Sequence, residues 1–469
     1  MLAIFSKKGA TNLSAAAWLV CAAIVATLYL TNLTSMGMYS TDEPRYADIG
    51  RAMARSGDWV TPRLWGKPWF EKPALLYWMT ATGFRMGLGN DLAPRLPVAL
   101  LSIAFIVFFR WRLKRVFDER VANFATAILA TSAGWLAYSH VAVTDLPLAV
   151  FFSAAVLYSL RVYDEEPNRI AAAAALGIAV LAKSLPPLVL FLPVLVADRR
   201  NWHRWFASWP IIVFAAVALP WHVIGTLRNG WQFPRVLFLE QQFGRFFSNS
   251  LQHEQPWWFY IPVFLLFLFP WFPLLGASIR YIKEDERART LSAVVAFGLV
   301  FFSASVNKLP GYVLPLVPAA CAVTGLAMAR TERRERWLIA PVALLGALPI
   351  AAVILPEAEA HHLRTAQIPW ISGALGIAVA AAIGVAIAKW FRSRAFPLAV
   401  LLAAAGFVLL EIDVFPALDK VGSARSLWIA RHPDCAPELP RGMPYSLNYY
   451  AERALPGCAI VDKNAAPKR

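Results

Sequence analysis

The residues of this chain with the means to do chemistry stand at the ends of long apolar runs. Asp42 and Glu43 are adjacent carboxylates just beyond the first run. Either they stabilise the positive end of a following helix, or one is a base that takes a proton from an acceptor hydroxyl. Lys72, between Glu71 and Pro73, either snorkels at a membrane surface or turns inward as a point charge suited to a lipid phosphate. Asp145, in Val-Thr-Asp-Leu-Pro, heads another run, with Thr144 the better-placed helix cap. Lys183 and Lys308 also sit at run ends, Lys308 opening Lys-Leu-Pro-Gly-Tyr. Ionisable groups there are costly to hold in lipid, so function or snorkelling must account for them. Glu240, Arg245 and His253 share a long loop that re-enters the apolar pattern at Gln255-Pro256-Trp257-Trp258. His253 reads as a solvated loop histidine. Carboxylates and cations gathered beside apolar helices suit a substrate that joins a phosphate to a long lipid.

The elements that must hold these residues are membrane helices. Apolar residues make up 58% of the 469 and charged residues 16%, against roughly a quarter charged in soluble chains. The net charge of +16 would suit nucleic acid, but Lys and Arg fall in short clusters between apolar runs, so no nucleic-acid partner is expected. Hydropathy predicts an all-α polytopic fold of about thirteen spans. They are Ala15–Met36, Leu92–Phe109, Ala122–Tyr138, Leu146–Tyr158, Ile170–Ala182, Leu185–Ala197 and Trp205–Thr226. Trp258–Ile282, Leu291–Val306, Tyr312–Ala329, Trp337–Leu355, Trp370–Ala388 and Phe396–Val414 follow. The first reads as a retained signal anchor.

Loop charge gives an orientation independent of that count. With the N-terminus inside, one set of loops carries Arg110 to Arg115, Arg199 to Arg204, Arg280 to Arg289, Arg330 to Arg336 and Lys389 to Arg394. The short opposite loops around Val143, Ser184 and Glu357 are poor in Lys and Arg. The positive-inside rule then places the N-terminus in the cytoplasm and the C-terminus outside. The expected domain is residues 1–415, with outside loops at 37–92 and 227–257, followed by a short outside segment, 416–469. In the first loop Ser40-Thr41-Asp42-Glu43 predicts a capping box with Ser40 as N-cap. Tyr46, Ile49 and Met53 predict an amphipathic helix lying on the membrane surface. Trp59 to Pro68 turns the chain, and Pro73 opens a second short helix, Ala74–Phe84. Cys21 and Cys321 read as small core residues, while Cys435 and Cys458 can pair if the tail lies in an oxidising compartment.

The first loop carries a specific motif. Thr41-Asp42-Glu43-Pro44-Arg45-Tyr46-Ala47-Asp48-Ile49, Gly57-Asp58-Trp59-Val60, Pro62-Arg63 and Phe70-Glu71-Lys72-Pro73 closely resemble the first outer loop of bacterial aminoarabinose transferases. These are grouped with the protein O-mannosyltransferases in the GT-C class of glycosyltransferases. The resemblance continues through Thr144-Asp145, Leu181-Ala182-Lys183-Ser184, Phe243-Gly244-Arg245-Phe246, Gln255-Pro256-Trp257-Trp258 and Lys308-Leu309-Pro310-Gly311-Tyr312. It runs from near Ala15 to near Arg330. It implies a GT-C-like helical bundle with periplasmic amphipathic helices in a bacterial inner membrane. It implies an undecaprenyl phosphate-sugar or similar polyprenyl donor, and inversion at the anomeric carbon. The acceptor would be lipid A or another envelope glycan or protein. Carried over by position, Asp42 leads as the catalytic carboxylate with Asp145 and Glu43 in support. Arg45, Lys72, Arg245, Tyr312 and Lys308 hold the donor phosphate. The resemblance names no certain cofactor and leaves a divalent cation open.

The sequence also departs from that pattern. Lys183 is followed by Ser184-Leu185-Pro186 where relatives commonly have Gly-Pro. Arg245 is preceded by Glu240-Gln241-Gln242, where some relatives have His. The tail is shorter than the soluble domain usual in aminoarabinose transferases. The reading from a different class is a transporter or flippase of lipid-linked sugars. It would predict charges at helix midpoints, broken helices and repeat symmetry, whereas the charges here sit at helix ends.

Overall fold

A computed structural model describes residues 15–162, 165–244, 255–361, 370–440 and 442–458. Each run expected to cross the membrane carries a helix. The first eight helices are α1 (Ala15–Leu30), α2 (Asp42–Ser56), α3 (Leu75–Arg85), α4 (Gly89–Val116), α5 (Glu119–Ala130), α6 (Ala133–Ser139), α7 (Asp145–Ser159) and α8 (Arg169–Lys183). Among the described residues, seven helices are long and apolar enough to cross a membrane, or nine if two bent pairs each count as one. The chain is a multi-pass helical membrane protein. Three further apolar helices are shorter, Trp18–Leu30, Asp145–Ser159 and Pro186–Ala197, and the sequence count of about thirteen includes them.

The bends have local causes. At the 61° break between α5 and α6, Thr131 and Ser132 turn their hydroxyls back onto the carbonyls of Ala127 and Ile128, at 2.7 Å each. This back-bonding competes with the helical ladder. The 105° break between Tyr260–Phe267 and Phe272–Glu284 coincides with Pro270 and Pro273, whose missing N–H groups cannot continue a helix. Trp271 fills the space between the bends and donates its indole N–H to Thr131. Large aromatic side chains, among them Trp135, Trp271, Phe109, Phe124 and Phe152, are fully buried in the bundle. Cys321 is buried there as expected, and Cys21 is half-buried.

The first loop differs from its expected form in two ways. The helix starts at Asp42 with Thr41 at the cap position and no side-chain cap bond, so Ser40 is not the N-cap. Ser40 has φ +64°, and Glu43 reaches past it to accept from the Tyr39 N–H, at 3.0 Å. Nor does α2 simply lie on a surface. Tyr46, Ile49 and Met53 are buried as the spacing predicts, but Asp48 and Arg51 are buried as well. Arg51 pairs with Asp48 and donates to the Tyr449 carbonyl at 2.8 Å, so the polar face of α2 meets the C-terminal segment instead of water. Gly57, with φ +73°, ends the helix and returns its N–H to Met53 at 2.9 Å. The stretch around Trp65 forms a two-residue hairpin, Arg63–Leu64 against Lys67–Pro68. Trp65 and Gly66 both have positive φ in its tight turn.

The last long helix, Ala395–Gly422, runs through the domain boundary expected at residue 415. Beyond it the chain folds back on the first loop. Tyr449 donates to the Asn90 carbonyl at 2.7 Å and Tyr450 to Asp91 at 2.6 Å. Arg425 bridges Asp91 and Asp419 at 3.1 and 2.9 Å. A disulfide joins Cys435 to Cys458. Thr144 occupies the cap position of α7 but makes no side-chain cap bond there.

Candidate functional site

The first turn of α2 points consecutive residues in different directions. Asp42 pairs with Arg45 one turn on. Arg45 also donates to Glu71 at 3.0 Å and to the Thr41 carbonyl at 2.9 Å. Glu71 then divides its two oxygens, Oε2 facing Arg45 and the Trp69 indole N–H at 3.2 Å, and Oε1 facing the Lys72 ammonium at 3.5 Å. The result is a continuous chain, Asp42, Arg45, Glu71, Lys72, alternating in charge. Burial pulls the Arg45 guanidinium toward easier deprotonation, but the Glu71 and Asp42 carboxylates outweigh it and hold Arg45 charged. Asp42, at 31% side-chain exposure, is the open end of the chain.

A second pair comes from α7 and α8. Lys183, at the end of α8, donates to Asp145, at the start of α7, at 2.6 Å. Its ammonium also lies 4.5 Å from the centre of the Tyr312 ring. Gly311 is required here: a Cβ on it would stand 2.6 Å from Asp145 Oδ1 and 2.8 Å from the Tyr138 hydroxyl. The two assemblies meet in one cleft, where Lys72, Lys183 and Tyr312 share walls with Gln241, Phe301 and Phe302. Two ammonium groups beside apolar and aromatic walls can bind a phosphate whose substituent continues into lipid.

The remaining expected residues are placed differently. Glu43 points away from Asp42 and is fully buried against Arg95. Its Oε1 accepts from Arg95 Nε at 2.7 Å and the Ala142 N–H at 2.9 Å. Its Oε2 accepts from Arg95 Nη2 at 2.7 Å and the Tyr39 N–H at 3.0 Å. Arg95 in turn ties the Leu33, Met36 and Gly37 carbonyls, so Glu43 is a scaffold group and the catalytic reading does not extend to it. Lys308 is buried and lies beside the cleft, its ammonium donating to the Ser305 carbonyl at 2.6 Å and the Gln255 carbonyl at 3.1 Å. Burial lowers its pKa. Arg245 and His253 lie outside the described residues.

Three participants went unrecognised at the sequence level. Glu71 was only a letter in a motif, although it bridges the two cations. Arg95 had a usable signal, an ionisable residue between Pro94 and Pro97 at the head of an apolar span. Tyr445 had none; it packs 5.2 Å from Arg45, whose guanidinium also lies 5.6 Å from the Trp69 ring. For a divalent cation the donor set is a poor fit, because Asp42 and Asp145 each face a cation. Among the described residues no three His, Cys, Asp or Glu side chains gather as metal ligands would.

The chain is similar to several known proteins. Residues 71–224 match the dolichyl-phosphate-mannose-protein mannosyltransferase family. An undecaprenyl phosphate-alpha-4-amino-4-deoxy-L-arabinose arabinosyl transferase of Pseudomonas fluorescens is 30% identical over 316 residues, 64% of this chain and 54% of the relative. Its Pseudomonas aeruginosa counterpart is 30% identical over 325 residues, 65% of this chain and 58% of the relative. The chain thus spans little more than half the length of these curated relatives. The crystal structure of ArnT from Cupriavidus metallidurans bound to undecaprenyl phosphate superposes with a TM-score of 0.77 and 26% identity, over 94% of this chain and 86% of that one. The chain therefore has the fold of this ArnT, and its residues 71–224 are similar to the dolichyl-phosphate-mannose-protein mannosyltransferase family.

Proposed function

We propose that this protein is an inverting glycosyltransferase that moves a sugar from an undecaprenyl phosphate, or similar polyprenyl phosphate, to an envelope acceptor at the periplasmic face of a bacterial inner membrane. The observation that carries this reading is the shared cleft, in which Lys72, Lys183 and Tyr312 stand between two carboxylate assemblies and an apolar wall. The names of the relatives, and the lipid phosphate bound in the ArnT structure, supply the donor class. The clusters of Lys and Arg on one set of loops support a cytoplasmic N-terminus and periplasmic chemistry.

In this reading Lys72 and Lys183 hold the donor phosphate and stabilise the charge that grows on it as the glycosidic bond breaks. Asp145 orients Lys183, and Tyr312 backs that ammonium with its ring. Asp42, at the exposed end of its chain, accepts the proton of an acceptor hydroxyl. The acceptor attacks the anomeric carbon opposite the departing phosphate, inverting it. Where the acceptor is a lipid A phosphate, already ionised, Asp42 instead keeps Arg45 aligned. Lipid A is the first acceptor and another glycan or a protein the second. Lys308 retains a third N–H beyond its two carbonyl bonds, and Arg245 completes the phosphate-holding set.

The test incubates the purified full chain with radiolabelled polyprenyl phosphate-sugars and candidate acceptors. Transfer is expected from at least one donor and should fall at least a hundredfold, on the order of an oxyanion-stabilising group, in Lys72→Ala and Asp42→Asn. Undiminished transfer in both variants would refute the assigned site.

A further inference from the structure

The C-terminal segment enters the site with one side chain. Tyr445 lies near the start of the helix Met443–Ala451, some four hundred residues after Arg45 in the chain. Its ring stacks on Trp65 with centroids 6.2 Å apart and planes 9° from parallel, while the Arg45 guanidinium lies 5.2 Å from its centre. Trp69 and Tyr46 lie against the same guanidinium, at 5.6 and 6.0 Å. Arg45 thus has carboxylates to bond with and aromatic rings packed around it. Lys72 and Arg45 address different oxygens of Glu71, and Tyr445 packs against the Arg45 end of this chain.

The segment is also built to stay in place. Besides the Tyr449, Tyr450 and Arg425 bonds, Glu452 pairs with Arg55 at 2.7 Å and Arg51 at 3.4 Å. Trp65 takes a backbone conformation with φ +49°, uncommon for a bulky residue, and that turn presents its ring to Tyr445. A guanidinium packed among aromatic rings is restricted in how it can turn, and the orientation of Arg45 governs its bonds to Asp42 and Glu71.

We propose that Tyr445 is a positioning residue of the proposed transferase site: by stacking on Trp65 and packing against Arg45, it fixes the Asp42–Arg45–Glu71 geometry, so that the C-terminal segment forms part of the catalytic wall. This rests on the glycosyltransferase reading. It differs from a tail that only stabilises the fold, because the ring of Tyr445, and not the docking bonds around it, carries the effect.

The experiment uses the purified full chain with a radiolabelled polyprenyl phosphate-sugar that supports transfer in the assay proposed above, and compares Tyr445→Ala, Tyr445→Phe, Trp65→Ala, the double Trp65→Ala/Tyr445→Ala variant and Tyr449→Phe. Tyr445→Ala should lower kcat by about ten- to a hundredfold, the scale of a misplaced catalytic group, with the donor KM within about threefold. Tyr445→Phe should keep the rate within about threefold, since the ring and not the hydroxyl does the work. Adding Trp65→Ala to Tyr445→Ala should cost little more, because a stacked pair acts as a unit. Tyr449→Phe removes a docking bond and should leave kcat unchanged. A wild-type kcat in Tyr445→Ala, a Phe variant as slow as the Ala variant, or an equal loss in Tyr449→Phe would each overturn the inference. Modification of Arg45 by phenylglyoxal, read by mass spectrometry, needs no turnover. It should be faster in Tyr445→Ala than in wild type, and an unchanged rate overturns the inference. Absence of transfer by the wild type would instead reject the glycosyltransferase reading, with the Arg45 modification still deciding the geometry.

Discussion

Replacing Lys183 by Met should slow the proposed sugar transfer more than removing both members of its ion pair. Lys183 and Asp145 are 2.6 Å apart, with side chains 12% and 15% exposed, so each charge is offset by the other within a restricted space. For a donor phosphate about 5 Å from Lys183, at an effective dielectric near 20, the attraction is about 3 kcal/mol. In the wild type the Asp145 carboxylate, slightly farther from the phosphate, opposes that attraction by about 2 kcal/mol. Lys183→Met removes the attraction and keeps the repulsion, a loss of about 3 kcal/mol, or about two powers of ten in kcat/KM. In Lys183→Met/Asp145→Asn both are gone and the loss should shrink to about 1 kcal/mol, about fivefold. The double variant should therefore be faster than the single one, a reversal that simple loss of packing does not produce. Initial rates from radiolabelled polyprenyl phosphate-sugar, at several donor concentrations, measure both values. A double variant no faster than Lys183→Met would refute the role given to the pair, as would a single variant within threefold of wild type.

Three further outcomes follow from the same geometry. Glu43→Gln leaves the buried Arg95 charge uncompensated and should destabilise the fold by about 3 kcal/mol or more, read as a lower melting temperature in detergent, while the protein that remains folded keeps its kcat. Gly311→Ala places a methyl 2.6 Å from Asp145 Oδ1; it should displace the Asp145–Lys183 pair and lower kcat at least tenfold, as expected for a misplaced group, with expression unchanged. The Glu452 carboxyl is held below its ordinary range by its hydrogen bond to Arg55, against opposition from burial. Its contribution to docking the C-terminal segment is therefore fully present above the ordinary Glu pKa and lost as pH falls through the depressed folded-state value. Limited proteolysis of that segment by an acid-active protease should accelerate over that acidic window in wild type, and Glu452→Gln should be insensitive to pH there.

What the sequence made legible follows from the range of the interactions involved. Apolar runs are local, so each expected span carries a helix, including α7 and α8, which are too short to pass a strict length test. Lys72, Lys183 and Tyr312 sit at run ends or in short motifs, and their common cleft follows from the folding of those runs against one another. Tyr445 could not be found this way, because nothing near it in the chain reflects Trp65 or Arg45. The same limit applies to the polar face of α2. Its spacing correctly gave Tyr46, Ile49 and Met53 as a buried face, but the partner of the opposite face, Tyr449, lies 398 residues from Arg51.

Glu43 shows a finer limit, within a single turn. Asp42 and Glu43 are identical in charge and adjacent in sequence, so composition and motif treat them as one feature. On a helix, with 3.6 residues per turn, neighbours point about 100° apart. That rotation sends Asp42 to Arg45, at the exposed end of a chain of charges, and Glu43 inward to Arg95, where four donors occupy its two oxygens. The pairing partners then determine what each can do. A carboxylate facing an arginine that also serves Glu71 can exchange partners when substrate arrives, whereas one sealed against Arg95 and two backbone N–H groups cannot move without leaving a buried charge unpaired. The different settings of the two carboxylates, and the catalytic role proposed for Asp42 alone, therefore follow from one residue of helical phase. It becomes visible only once the positions of Arg45 and Arg95 around that helix are known.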